Sequence, residues 1–254
     1  MTTRPITGHL AWGAEGAPVR MVLLHYAGGS AASMLPLART LPRTCHVVLP
    51  DLNDPADPAH TFTAAVTRLL PRIAELLDRP TVVLGHSMGA LMAHAVIEAL
   101  PDDRRRHVTD VVLSGSRSPA TTSSIATFPP AAFTTRTRAE LAADMSRYGG
   151  CPPELFTDPQ LLHLAVTKLG HDMQLIDTYR TPVGRAAGAE PTGPAYHVWY
   201  GHDDTEASEA EARRWAGALP RPPHLRGFPG GHFYLLEHAQ AGQALHHLTT
   251  AGNG

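Results

Sequence analysis

The feature that most restricts what this 254-residue chain can become is Gly85-His86-Ser87-Met88-Gly89. Ahead of it stands a short apolar, β-branched run, Thr81-Val82-Val83-Leu84, which reads as a buried strand. Behind it, residues 88–100 carry helical patterning and end at Pro101. A G-x-S-x-G pentapeptide arises by chance in glycine-rich chains, so the flanks carry the argument. Between a strand and a helix it is a sharp turn that lifts one serine hydroxyl to its apex, with Gly85 and Gly89 keeping side chains out of a tight space. A phosphate-binding loop is a poorer reading, because no Lys-Ser/Thr pair follows.

The same alternation of strand and helix recurs along the chain. Residues 19–25, 45–50, 108–113, 196–200 and 225–228 read as further strands, and residues 233–248 as a C-terminal helix. Phe62, Val66, Leu69, Ile73 and Leu76 recur at helical spacing, with Pro71 predicting a kink or a break. This pattern specifies an α/β fold with a mainly parallel central sheet. Residues 116–194 depart from it: they show no convincing strand, and helical patterns appear at 139–148 and 159–179. Some eighty residues are too many for a simple loop. The reading is a core of residues 1–115 and 195–254 with a helical lid insertion at 116–194; a helical subdomain with only a packing role is the alternative.

Bulk properties exclude several classes. With 21 basic and 23 acidic residues the formal net charge is -2, which argues against generic nucleic-acid binding. Arg104-Arg105-Arg106 reads as a solvated charge run more readily than as a docking patch for an acidic protein. Cys45 and Cys151 form neither a disulfide framework nor a zinc-ligand pattern. The N-terminal residues lack a signal peptide's apolar stretch, and no apolar run approaches the ~20 residues of a membrane span. A cytoplasmic, monomeric protein without membrane or nucleic-acid partners is the expectation.

A serine hydroxyl needs a base and an acid behind it, and in folds with this turn the order along the chain is Ser, Asp/Glu, His. Sixteen histidines make a lone His uninformative. His232 stands out in Phe228-Pro229-Gly230-Gly231-His232-Phe233, directly after a predicted strand. His238, His246 and His247 fall inside the final helical run, and His224 precedes the strand. Gly201-His202-Asp203-Asp204 follows the strand at 196–200, and Asp204 is preferred to Asp203 as the acid. A metal site built on these residues is a weak alternative, since no second ligand pair matches. The oxyanion of an acyl-transfer intermediate needs two backbone N–H donors. Met88, next to the serine, is one candidate, and Ala27, in His25-Tyr26-Ala27-Gly28-Gly29-Ser30, is the other.

Together these segments resemble the stand-alone type II thioesterases of polyketide and nonribosomal peptide synthesis, members of the α/β-hydrolase superfamily. The resemblance extends to Gly231-His232-Phe233-Tyr234-Leu235, to Tyr148-Gly149-Gly150-Cys151-Pro152-Pro153-Glu154, to the segment from Asp172 to Tyr179, and to Trp215. Two positions depart from the family pattern: His25 stands where the family usually has Pro, and Gly170-His171 where it commonly has Arg-Ala. The resemblance implies hydrolysis of acyl groups stalled on the phosphopantetheine arm of an acyl-loaded carrier protein, by Ser87, Asp204 and His232 through an acyl-enzyme. It implies neither a metal nor an organic cofactor, and a lid covering the acyl chain. An acyl-CoA thioesterase, a carboxylesterase, and an enzyme that transfers or cyclises the acyl group at the same serine are the alternatives. A non-catalytic binding member is disfavoured by the intact Ser87, Asp204 and His232.

Overall fold

The computed structural model describes residues 9–53, 57–125, 136–149, 151, 153–181 and 193–251. Among the described residues, seven strands form one sheet: β1 (His9–Gly13), β2 (Arg20–Leu24), β3 (His46–Pro50), β4 (Thr81–His86), β5 (Val108–Ser114), β6 (Ala195–Gly201) and β7 (His224–Phe228). Their order across the sheet is β1-β3-β2-β4-β5-β6-β7. β1 runs antiparallel to β3, and every other neighbouring pair is parallel. The helices are α1 (Leu35–Arg39), α2 (Phe62–Leu76), α3 (Met88–Ala99), α4 (Asp102–Arg105), α5 (Pro119–Ile125), α6 (Arg138–Tyr148), α7 (Glu154–Thr157), α8 (Pro159–Asp177), α9 (Glu209–Arg214), α10 (Tyr234–Glu237) and α11 (Ala239–Ala251).

Every residue of β2, β3 and β4 is buried, which is why these strands read as continuous apolar runs and not as alternating ones. Successive side chains still leave on opposite faces. Val22, Leu24 and Val83 join α2, α3 and Trp215 in one core, while Met21, Leu23, Val82 and Leu84 join α1 and α11 in the other. α3 lies against the sheet with Met88 through Ile97 all buried, so its sequence is apolar nearly all round, His94 being the buried exception. A third, smaller cluster of Leu141, Met145, Val166 and Leu169 holds α6 to α8.

Four features differ from what the sequence predicts. β1 is an additional strand whose residues are all partly or fully exposed, so it carries no alternation to read. α2 continues through Pro71 unbroken. Pro71 and Thr67 both face outward, so the Thr67 carbonyl deprived of its helical donor can turn to water. The expected C-terminal helix is two helices, α10 and α11, separated by His238 in an extended conformation (φ -123°, ψ 124°). That bend sends Tyr234 and Leu235 into the core and still lets Ala241, Ala244 and Leu245 pack on the sheet. The arginine run is not wholly solvated: Arg105 is buried, with Nη2 3.9 Å from Glu98 Oε1.

No strand occurs among the described residues between β5 and β6, where α5 to α8 lie. No helix among the described residues is long and apolar enough to cross a membrane.

Candidate active site

β4 and α3 meet at Ser87, whose backbone takes φ 55° and ψ -117°. It is the one non-glycine residue with positive φ among the described residues. L side chains rarely adopt such a conformation, and the surroundings must enforce it. The enforcement is visible in the flanking glycines. A Cβ on Gly85 would stand 2.0 Å from the Gly89 carbonyl oxygen, and one on Gly89 would stand 2.4 Å from that of Leu24. Strand and helix are therefore pressed together at the turn, and the Ser87 N–H is anchored on the Ser114 carbonyl of β5 at 2.8 Å.

The loops leaving β6 and β7 bring two further residues to the same end of the sheet. The His202 N–H bonds the Phe228 carbonyl at 2.8 Å, and the Asp203 N–H bonds that of Gly230 at 3.0 Å, tying the two loops together. In this arrangement Asp204 Oδ2 lies 2.8 Å from His232 Nδ1. The second oxygen, Oδ1, accepts the N–H groups of Glu206 (2.9 Å) and Ala207 (3.0 Å). Burial would raise the Asp204 pKa, but the His232 ring and these two N–H donors outweigh it and hold the carboxyl below the ordinary range. Both carboxylate oxygens are thus hydrogen-bonded. Asp203 is exposed and points its backbone, not its side chain, into the loop pairing.

His86, inside the turn, has its ring centroid 5.2 Å from that of His232. Its Nδ1 is 3.0 Å from Ser114 Oγ, which in turn is 2.5 Å from the Tyr234 hydroxyl. Complete burial, reinforced by His232, lowers its pKa to about 3, so the ring is a neutral packing element of the turn. His25, one of the two departures from the family pattern, is likewise buried, and its pKa is lowered to about 4, mainly by desolvation. Its Nδ1 meets the Tyr26 carbonyl at 2.8 Å and its Nε2 meets the Leu52 N–H at 3.2 Å. It therefore joins the loops after β2 and β3.

The loop after β2 assigns its backbone donors one by one. Gly28 N–H bonds Asp172 Oδ2 (2.8 Å), Gly29 N–H bonds the Tyr26 carbonyl (3.0 Å), Ser30 N–H bonds Ser33 Oγ (3.0 Å) and Ala31 N–H bonds Asp51 Oδ1 (2.7 Å). Of residues 27–31, Ala27 alone has an N–H with no acceptor among the described residues. Met88, at the first helical position of α3, also has an amide that no intrahelical carbonyl can reach.

Ser87, His232, Ala27 and Met88 all line one cavity of about 690 Å³. Its apolar wall comes from Leu91 of α3, Leu155 of α7, and Ala165, Leu169, Met173 and Ile176 of α8. Charged groups also face it. Arg136 grips Asp177 through two hydrogen bonds of 2.8 and 2.9 Å, and Arg117 pairs with Glu206. The partners of these pairs lie far apart in sequence and carry no local motif. Tyr148, whose ring centroid is 5.7 Å from that of His232, stands beside the histidine on the side of α6. No group of three or more metal-ligating side chains occurs among the described residues.

Comparison with known proteins places the chain in a family. A probable cadicidin biosynthesis thioesterase of Streptomyces griseus is 32% identical over 253 residues, covering 92% of this chain and 64% of the relative. Phenyloxazoline synthase MbtB of Mycobacterium tuberculosis is 26% identical over 232 residues, covering 88% of this chain and 15% of that protein. The chain thus spans less than two thirds of the length of either curated relative. Among solved structures, the type II thioesterase BorB from the borrelidin biosynthetic cluster superposes with a TM-score of 0.74 at 25% identity, covering 93% of this chain and 95% of that one. The shared architecture is the α/β-hydrolase fold. The family model for the thioesterase domain matches residues 19–251, and the chain belongs to that family.

Proposed function

We propose that this protein is a serine thioesterase that releases acyl groups from the phosphopantetheine arm of carrier proteins in polyketide or nonribosomal peptide synthesis. The observation that carries this reading is the Asp204–His232 pair, with His232 and Ser87 both lining a largely apolar cavity of about 690 Å³. The similarity to thioesterases of such pathways supports the choice of thioester over ester.

In this reading Ser87 Oγ attacks the thioester carbonyl carbon while its proton passes to His232 Nε2. Asp204 accepts the Nδ1–H of His232 and stabilises the imidazolium that results. The N–H groups of Ala27 and Met88 receive the negative oxygen of the tetrahedral intermediate. Its collapse breaks the C–S bond, and the departing thiolate takes the proton held by His232. Water then attacks the acyl-serine ester, giving one proton to His232. Collapse of the second intermediate returns that proton to Ser87 Oγ and releases the acid. Helices α6 to α8 act as a lid, with α8 lining the acyl chain's path.

The test is kcat/KM for one acyl group presented on a carrier protein, on coenzyme A and as a simple oxygen ester. The carrier-bound thioester is expected to be turned over most efficiently. Preference for the oxygen ester would overturn the carrier reading in favour of a carboxylesterase, and a cyclic or transferred product in place of free acid would overturn hydrolysis.

A further inference from the structure

The loop that carries Ala27 does not hold itself up. Its Gly28 N–H donates to Asp172 Oδ2 at 2.8 Å, and Asp172 belongs to α8, 144 residues further along the chain. Asp172 is 1% exposed. A carboxylate buried to that degree needs its charge and its oxygen lone pairs compensated. The compensation consists of the Gly28 amide together with Lys168, one helical turn earlier, whose Nζ lies 3.1 Å from the same oxygen. The contact is also tight sterically. Gly28 has φ 78°, and a Cβ there would stand 3.3 Å from Leu169 Cβ and from Leu169 Cδ1. A methyl group at Gly28 would therefore fit only if the Leu169 side chain shifted slightly.

Two consequences follow for the loop. The Gly28 amide is removed from the set of oxyanion donors, leaving that of Ala27 next to it. The orientation of the Ala27 peptide is set by a neighbour bonded to α8. The same helix lines the cavity with Leu169, Met173 and Ile176.

We propose that Asp172 is a positioning residue for the oxyanion donor: it hangs the Ala27–Gly28 loop from α8, so the helix that touches the acyl chain also sets the geometry of the transition-state contact. This rests on the proposed role of Ser87 and deepens it. An acyl chain that seats α8 correctly aligns the donor, and one that displaces α8 misaligns it. Acyl selectivity is then read partly in kcat and not only in KM.

The experiment compares Asp172→Ala, Asp172→Asn and Gly28→Ala with the unmutated protein and with Ser87→Ala, using an acyl-pantetheine thioester as substrate. Asp172→Ala is expected to lower kcat roughly 10- to 100-fold, with KM within about 3-fold, because a misplaced oxyanion donor weakens only the transition state. Asp172→Asn keeps an oxygen for the Gly28 amide and is expected to recover most of that loss. Binding of a trifluoromethyl ketone analogue, which forms a tetrahedral adduct, should weaken in Asp172→Ala by the same factor as kcat/KM falls. Gly28→Ala attacks the contact from the loop side and should show the same kcat-only loss, which keeps the test decisive if Asp172→Ala does not fold. Unchanged kcat in folded Asp172→Ala, equal losses in the Ala and Asn variants, or a loss confined to KM would overturn the inference while leaving Ser87 as nucleophile. Turnover surviving Ser87→Ala would overturn the underlying reading and this inference with it.

Discussion

The backbone at Ser87 offers a test of the site that needs no substrate. At φ 55° and ψ -117° an L side chain sits where glycine is at ease, and such a conformation costs on the order of 1–3 kcal/mol. The close approaches around Gly85 and Gly89 leave the turn no other shape. Replacing Ser87 by glycine removes the strain, offset by the roughly 0.5–1 kcal/mol that glycine's freedom adds to the unfolded chain. Ser87→Ala is the proper reference, because it lacks the hydroxyl yet retains Cβ. Ser87→Gly should therefore exceed Ser87→Ala in stability by about 0.5–2 kcal/mol. For a chain of this size that is a rise in melting temperature of about 2–4 °C per kcal/mol. Urea unfolding followed by circular dichroism, run on both variants in parallel, measures the difference. Equal stabilities, or a less stable glycine variant, would refute the idea that this turn stores strain to present its side chain.

Asp204→Asn should lower kcat by on the order of 10³- to 10⁴-fold, because the amide no longer anchors the productive tautomer of His232, whereas Asp203→Asn should stay within a few-fold; steady-state assays that reverse this ranking would move the acid to Asp203. Stability should also fall with acidity. His25 and His86 are neutral in the fold down to about 4 and about 3, while in the unfolded chain each takes up a proton below about 6.5. The unfolded state therefore binds the extra protons as pH falls through that interval. The stabilisation is complete above pH 7 and is reduced by roughly 2 kcal/mol per histidine at pH 5. A urea midpoint that does not move between pH 7 and pH 5 would contradict the burial of these two rings.

Much of the architecture is legible because it is local. The run Thr81 to Leu84, the glycine-flanked Ser87 and the apolar stretch of α3 each declare themselves within a few residues, and together they define the centre of the sheet. β1 is not legible, because an exposed edge strand has no buried face to pattern its sequence. Pro71 misleads because the cost of a helical proline depends on whether its orphaned carbonyl faces water, which is a tertiary fact. The single helix expected over residues 233–248 divides at His238 for a similar reason: the packing of Tyr234 and of Leu245 on the same core demands a bend that no residue there announces.

The candidate site divides along the same line. Position after a strand end singles out Ser87 and His232 in the sequence and favours Asp204 over the adjacent Asp203, but the hydrogen bond that brings Asp204 to the ring appears only once the loops after β6 and β7 pair. The loop of Ala27 is recognisable as a turn. That its neighbouring amides are committed to Tyr26, Ser33, Asp51 and Asp172 is information held in contacts up to 144 residues apart. The Arg136–Asp177 pair that faces the cavity belongs to the same class of long-range contact.

The proposed role of Ser87 is to carry acyl groups taken from a carrier protein. It is tested most directly by intact-mass analysis of an acyl-loaded carrier protein incubated with this protein or with its Ser87→Ala variant. The unmutated protein is expected to return the carrier with its free pantetheine thiol and to liberate the carboxylic acid, while Ser87→Ala leaves the acyl group in place. An acyl group that stays on the carrier with the unmutated protein, or that leaves equally fast with Ser87→Ala, would contradict it.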